Sequence, residues 1–386
     1  MHNVDFLFFD AGGGHRSAAT ALKRVMEKEG YPWNIRLVNL QDVLDEIDLF
    51  HKYTGIASQD IYNLILKKGW TLGSPQLARI MQWIIRRFHA DQVRVLSSYW
   101  RRHKPDMVVS LIPNFGRAIY KGLKSADPDA PLVTILTDFA DYAPLYFWIE
   151  RQDQYYICGT ELAIRQAYEL GHPPEKVFRV QGMILHPRYY ERIDADPPAE
   201  RLRLGLQPDL PTGLVLFGGQ GSPSMRRILD RLDRSSLNLQ LILLCGKNAA
   251  LARDLRARRT RIPVLIQEFT TEVPYFMHLS DFFIGKPGPG SISEALAMRL
   301  PVIVERNAYT LPQERYNAEW VLENQVGMVV RNFRRIDETV AALLEPETFQ
   351  RLRTNAAALR NTAVYEIPAI LDGILRKRRT GSDAAR

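Results

Sequence analysis

Short apolar, β-branched runs alternate with longer amphipathic stretches along this chain, and the whole alternation occurs twice. In the first half the runs are residues 4–9, 34–40, 107–112, 132–137 and 155–158; in the second they are 213–217, 239–244, 264–266, 281–284 and 301–304. Strands that are apolar on both faces belong in parallel sheets covered by helices on each side. At 386 residues the chain also exceeds what one hydrophobic core supports. The expected fold class is therefore α/β, with two Rossmann-like domains.

The boundary is expected where this periodicity fails. Residues 182–209 are rich in proline and charge, which places a linker near 186–212 and divides the chain into domains 1–188 and 189–386. Residues 42–99 hold no convincing strand and carry Trp70 and Trp83 among Ile, Leu, Lys and Arg, so they read as helices that leave the first domain. The segment from Arg376 has few apolar residues to bury and is expected to be a basic, disordered tail.

Composition narrows the partners. Lys and Arg number 51 against 43 Asp and Glu, a net charge of +8 that favours an anionic surface or substrate. Cys158 and Cys245 each lie in an apolar run with no CxxC pair, which predicts buried reduced thiols and a cytoplasmic protein. Met1 leads directly into a candidate strand without a basic leader, and no stretch reaches the roughly 20 apolar residues that span a bilayer. Any membrane association is then peripheral. Nucleic acid is excluded as a partner by the dispersed basic residues and the lack of any RRM, KH, zinc-finger or helix-turn-helix signature.

Four glycine or polar clusters carry candidate chemistry. Asp10-Ala11-Gly12-Gly13-Gly14-His15 follows the first strand and precedes a helix expected over 17–29. Its spacing matches neither G-x-G-x-x-G nor a P-loop, which leaves His15 as a candidate general base at the carboxyl edge of the sheet. Lys286-Pro287-Gly288-Pro289-Gly290-Ser291 again joins a strand to a helix, expected over 291–298, whose free N–H groups suit a diphosphate. Glu294 is either a ligand residue or the partner of Ser291 in an S-x-x-E capping box. Gln313-Glu314-Arg315-Tyr316-Asn317 is a polar cluster, and Phe217-Gly218-Gly219-Gln220-Gly221-Ser222 is a glycine turn after the first strand of the second domain.

Taken in order, DAGGGHRSAA, KPDMVVSLIP, LTDF, FGGQG, GKPGPGSISEALAMRLPVIV and QERYNAEWV resemble the monogalactosyldiacylglycerol synthase group, related to the lipid II-forming N-acetylglucosaminyltransferase. The resemblance implies a GT-B glycosyltransferase, two Rossmann-like domains facing across a cleft, with the acceptor and membrane on the first domain and the UDP-sugar on the second. It implies His15 as the catalytic base with Asp10 close by, and Gly13, Gly14 and Asp138 on the acceptor side. For the donor it implies Gly219, Gly221, Gly288, Gly290 and Ser291 around the phosphates and Glu294 on the ribose. Phe269 and Thr270 then cover the uracil, and Gln313 and Glu314 meet the sugar with Asn317 nearby.

The implied reaction is inverting transfer of galactose or glucose from a UDP-sugar to a lipid hydroxyl, with diacylglycerol as the acceptor. No D-x-D triplet stands in a suitable place, so neither metal nor other cofactor is expected. The basic, aromatic stretch 61–102, together with the resemblance, implies docking on an anionic membrane surface at the inner face of the cell membrane. Two family histidines are absent, replaced by Ile112 and Ala143, so the donor half of the assignment is firmer than the acceptor half. The alternatives are a UDP-N-acetylglucosamine 2-epimerase-like isomerase on the same architecture, a transferase with another lipid or a soluble acceptor, and a non-catalytic UDP-sugar-binding protein.

Overall fold

A computed structural model describes residues 1–10, 13–44, 79, 82–83, 85–308 and 310–384. The chain forms two units, one of residues 1–187 with 361–386 and one of residues 188–360. The candidate membrane residues Leu64, Lys67 and Trp70 lie outside the described residues.

In the first unit, β1 (His2–Phe8), β2 (Trp33–Asn39), β3 (Met107–Ser110), β4 (Leu132–Ile135), β5 (Tyr155–Cys158) and β6 (Val177–Arg179) form a parallel sheet in the order β2-β1-β3-β4-β5-β6. Between them run α1 (Gly14–Lys28), α2 (Leu40–Leu44), α3 (His89–His103), α4 (Gly116–Ala126) and α5 (Glu161–Glu169). Helix α1 forms because Ala18, Ala19, Ala21, Leu22, Val25 and Met26 fall on one buried face, and it ends before Gly30 at φ +75°. Leu7, Val38, Leu96, Trp100, Ile112 and Ile119 share one core. Ile112 is 2% exposed, so its apolar side chain serves packing at a position where histidine would need a polar partner.

The second unit begins with the short α6 (Pro197–Arg203) and builds its sheet from β7 (Thr212–Leu216), β8 (Gln240–Leu244), β9 (Val264–Gln267), β10 (Phe282–Gly285), β11 (Val302–Glu305) and β12 (Gly327–Val330). The order is β12-β11-β10-β7-β8-β9, all parallel. The connecting helices are α7 (Ser224–Asp233), α8 (Ala249–Arg256), α9 (Val273–His278), α10 (Pro289–Ala297), α11 (Arg315–Glu323), α12 (Ile336–Leu344) and α13 (Pro346–Ala358). Arg201 of α6 fastens the entering chain: its side chain, 9% exposed, pairs with Asp281 at 2.9 Å and donates to the carbonyls of Leu279 and Pro208. Arg201→Ala would leave Asp281 without its counter-charge, and chemical denaturation is expected to show a loss of about 3–5 kcal/mol.

In both sheets the order of strand addition reverses once. The reversal lies between β1 and β3 in the first unit and between β7 and β10 in the second. Open α/β sheets bind ligands outside the carboxyl ends of the strands at such a point. The loops there are the glycine-rich segments that follow β1, β7 and β10.

Three expectations need correction. Each sheet gains an edge strand, β6 and β12, of three and four residues, too short to register as a periodic run. Residues 361–386 do not close the second domain but return to the first unit. Nor is the basic end a disordered tail: α14 (Ala363–Ala384) carries it through residue 384, and Arg378 pairs with Asp127 at 2.6 Å. The return is fixed at its start, where the Gln181 carbonyl accepts from the amides of Thr362 and Ala363.

Candidate active site

In the first unit, Gly13 takes φ +79° and caps α1, which begins three residues earlier than the sequence suggested. Only glycine adopts that backbone without strain, and open space lies where a Cβ would stand on either Gly13 or Gly14. The turn aims the first residues of α1 across the end of β1, and His15 is half-buried there. Its Nδ1 is enclosed without a hydrogen-bond partner among the described residues. Burial holds its pKa down to about 4, so the imidazole is neutral at neutral pH. That is the state from which a base accepts a proton.

Asp10 is not the partner that orients His15. Both of its carboxylate oxygens accept from the Arg16 guanidinium, which also lies over the Phe8 ring at 4.9 Å. The structure places Asp10 in an ion pair with Arg16. The ring meeting His15 is that of Trp148, edge to face at 6.0 Å between centroids. Trp148 is 2% exposed, and its indole N–H donates to Asp138 at 2.9 Å. Asp138 thus fixes a loop ring and reaches the histidine through it.

The loop carrying Trp148 is organised by Asp141. Its buried carboxylate accepts from the backbone amides of Tyr142, Phe147, Trp148 and Ile149. Gln166 clasps the Asp141 backbone, accepting from its amide and donating to its carbonyl. Asp141 and Trp148 were missed in the sequence; Asp141 lies three residues after Asp138. Ala143, the second of the replaced histidines, is exposed on the same loop.

In the second unit, the turn after β7 and the turn after β8 pack against each other. A Cβ on Gly221, at φ +61°, would stand 2.6 Å from the Cys245 carbonyl, so that glycine serves close approach of backbone. Gly219 differs: open space faces its Cα, and its carbonyl accepts from the Lys247 amide at 2.8 Å. The Lys247 ammonium sits 5.3 Å over the Phe269 ring, and Phe269 is 54% exposed. An exposed aromatic face on a loop at a carboxyl edge is suited to stacking. The neighbouring Thr270 hydroxyl accepts from the Glu272 amide and shapes that turn.

The turn after β10 ends in α10, whose first residue is Pro289 after Gly288. The helix therefore starts two residues before Ser291, and the capping-box reading of Ser291 and Glu294 fails because neither stands at a cap position. Proline lacks an N–H, and the amides of Gly290 and Ser291 are then first-turn donors without intrahelical acceptors. Open space lies against Gly290. The positive end of the helix and these donors form a site for an anion such as a diphosphate. Glu294 lies one turn further on. Burial pushes its carboxyl up to about 7, and the Tyr189 hydroxyl opposes that shift by donating to it.

The polar cluster divides on folding. Glu314 is 8% exposed and pairs with Lys286 at 2.7 Å, close beside Gly288. Asn317, expected on the donor side, is fully buried; its amide donates to the Pro287 carbonyl at 2.8 Å and holds the turn from behind. Gln313 remains partly exposed at the start of this segment. Among the described residues no group of three or more His, Cys, Asp or Glu side chains is placed to hold a metal ion.

Two family models match the chain. The model of the monogalactosyldiacylglycerol synthase family matches residues 15–183, and that of the glycosyltransferase family 28 C-terminal domain matches residues 214–368. Monogalactosyldiacylglycerol synthase of Spinacia oleracea, a chloroplastic protein, is 26% identical over 97% of this chain and 73% of its own length. A probable monogalactosyldiacylglycerol synthase 2 of Oryza sativa is 28% identical over 95% of this chain and 79% of its own.

Among solved structures, Acinetobacter baumannii MurG superposes with a TM-score of 0.65 at 10% identity, covering 97% of this chain and all 100% of that one. The UDP complex of S. aureus MnaA gives 0.59 at 17% identity, covering 95% and 94%. The fold is GT-B, and the chain is a UDP-sugar-dependent glycosyltransferase. Within that class it is similar to the monogalactosyldiacylglycerol synthases, whose family model matches residues 15–183.

Proposed function

We propose that this enzyme transfers galactose from UDP-galactose to the free hydroxyl of diacylglycerol with inversion at the anomeric carbon. The observation that carries the reading is the second unit's pairing of a helix N-terminus with free amides and, one turn on, a half-buried glutamate. The first is suited to a diphosphate and the second to a pair of ribose hydroxyls. The acceptor oxygen forms a bond to the anomeric carbon as the bond to UDP breaks. Its proton passes to His15, and the charge developing on the departing diphosphate is met by the α10 amides. In this reading no metal takes part.

Diacylglycerol as acceptor is supported by the names of the relatives and by the basic, aromatic surface of the first unit. Trp83 is 67% exposed, and Arg79, Arg86 and Arg87 near it are exposed too. An exposed tryptophan among arginines is suited to an anionic lipid interface. No helix among the described residues is long and apolar enough to cross a membrane.

A panel of UDP-hexoses offered with liposomes containing diacylglycerol, ceramide or anionic phospholipid alone tests both substrates by mass spectrometry of the lipid products. The expected result is monogalactosyldiacylglycerol with release of UDP, undiminished by EDTA. Turnover of the UDP-sugar without lipid would contradict the reading and indicate an isomerase or a soluble acceptor.

A further inference from the structure

Among the described residues nothing hydrogen-bonds the enclosed Nδ1 of His15, and Gly13 and Gly14, which precede it, have no side chain to brace the ring. What meets the imidazole is the Trp148 indole, edge to face at 6.0 Å between centroids and 81° between planes. That is a favoured geometry for an aromatic pair, and it restrains the orientation of both rings.

The indole is itself fixed at both ends. Its N–H donates to Asp138 at 2.9 Å. The Trp148 and Ile149 amides donate to one carboxylate oxygen of Asp141 at 3.0 and 2.7 Å, and the Phe147 amide donates to the other at 2.6 Å. The Phe147 carbonyl accepts from the Asn114 amide at 2.5 Å. Asn114, at φ +72°, follows β3, which pairs with β1. The loop carrying Trp148 is thereby braced against the strand beside the one that leads to His15.

We propose that Trp148 is a positioning residue for His15, holding the imidazole with Nδ1 inward and Nε2 towards the acceptor hydroxyl. This rests on the reading of His15 as the base. A neutral imidazole that accepts at Nε2 carries its resting proton on Nδ1. A ring free to turn would present either nitrogen and would meet the geometry of proton transfer only part of the time. Trp148 removes that freedom, and Asp138 acts one step further back by fixing the indole.

The test is a double-mutant cycle on the full chain with UDP-galactose and anionic phospholipid vesicles containing diacylglycerol. Trp148→Phe keeps an aromatic ring in the loop but is smaller and has no N–H. It is expected to lower kcat by about tenfold to a hundredfold, with the KM for UDP-galactose within about twofold of wild type. In a His15→Ala background the same substitution is expected to change the residual rate by less than about twofold, because the group it orients is gone. Asp138→Ala leaves the ring in place but frees the indole N–H. A loss of about tenfold is expected, most of it recovered in Asp138→Asn, which still offers an acceptor. Nitrogen NMR of histidine-labelled protein, with His15 assigned from His15→Ala, reads the same point without turnover. Wild type is expected to hold His15 as a single tautomer protonated on Nδ1, and Trp148→Phe to show a mixture of the two.

A wild-type kcat in Trp148→Phe, an equal loss from it in the wild-type and His15→Ala backgrounds, or an unchanged His15 tautomer overturns the positioning role while the base reading stands. If His15→Ala itself turns over at the wild-type rate, the base reading fails.

Discussion

His15→Ala is expected to slow transfer by about a thousandfold while leaving UDP affinity within about twofold of wild type. Burial keeps the imidazole neutral at neutral pH, and the glycine turn leaves open space beside it. An acceptor hydroxyl is a poor nucleophile until its proton has somewhere to go, and removing the base withdraws that route. The nucleotide's candidate ligands all lie in the second unit, so its affinity is untouched. Initial rates at saturating donor and a separate UDP titration check the two halves.

The same histidine carries a stability signature. Its folded pKa lies below the unfolded value of 6.5, so its contribution is full above that value and is lost as pH falls towards about 4. The alanine variant is expected to lose that part of the acid sensitivity.

Glu294→Ala is expected to produce the opposite pattern. UDP binding weakens by about tenfold to a hundredfold, the worth of roughly 1.5–3 kcal/mol for hydrogen bonds to a charged group. Turnover at saturating donor falls far less, because the ribose lies away from the bond being broken. A titration with UDP beside initial rates measured over a range of donor concentrations separates the two effects.

What the sequence showed was what local pattern encodes. Strands β1, β7 and β10 are continuous apolar runs followed by glycine, and the site loops were located from them directly. The start of α10 was misplaced because Ser291 and Glu294 imitate a capping box, while Pro289, two residues earlier, is the first helical residue. Long-range partners left no local trace. Nothing near Asp10 marks its engagement by Arg16, and Asn317 looks like a polar surface residue until the fold buries it beneath Pro287. Trp148 is tied to a side chain ten residues away, Asp138. The basic C-terminus from Arg376 looked unstructured because it holds no large apolar side chain; it forms the end of α14, whose apolar positions Ile367, Leu371, Ile374 and Leu375 are buried ahead of it.

The most direct measurement of the central claim is proton NMR of the glycolipid that the wild-type enzyme makes from UDP-galactose and diacylglycerol vesicles. Direct attack by the lipid hydroxyl on an α-linked donor, with His15 taking the proton, predicts a β-galactosyl linkage. An α-linked product would contradict single-step displacement, and the absence of any galactolipid alongside consumption of UDP-galactose would contradict transfer to lipid altogether.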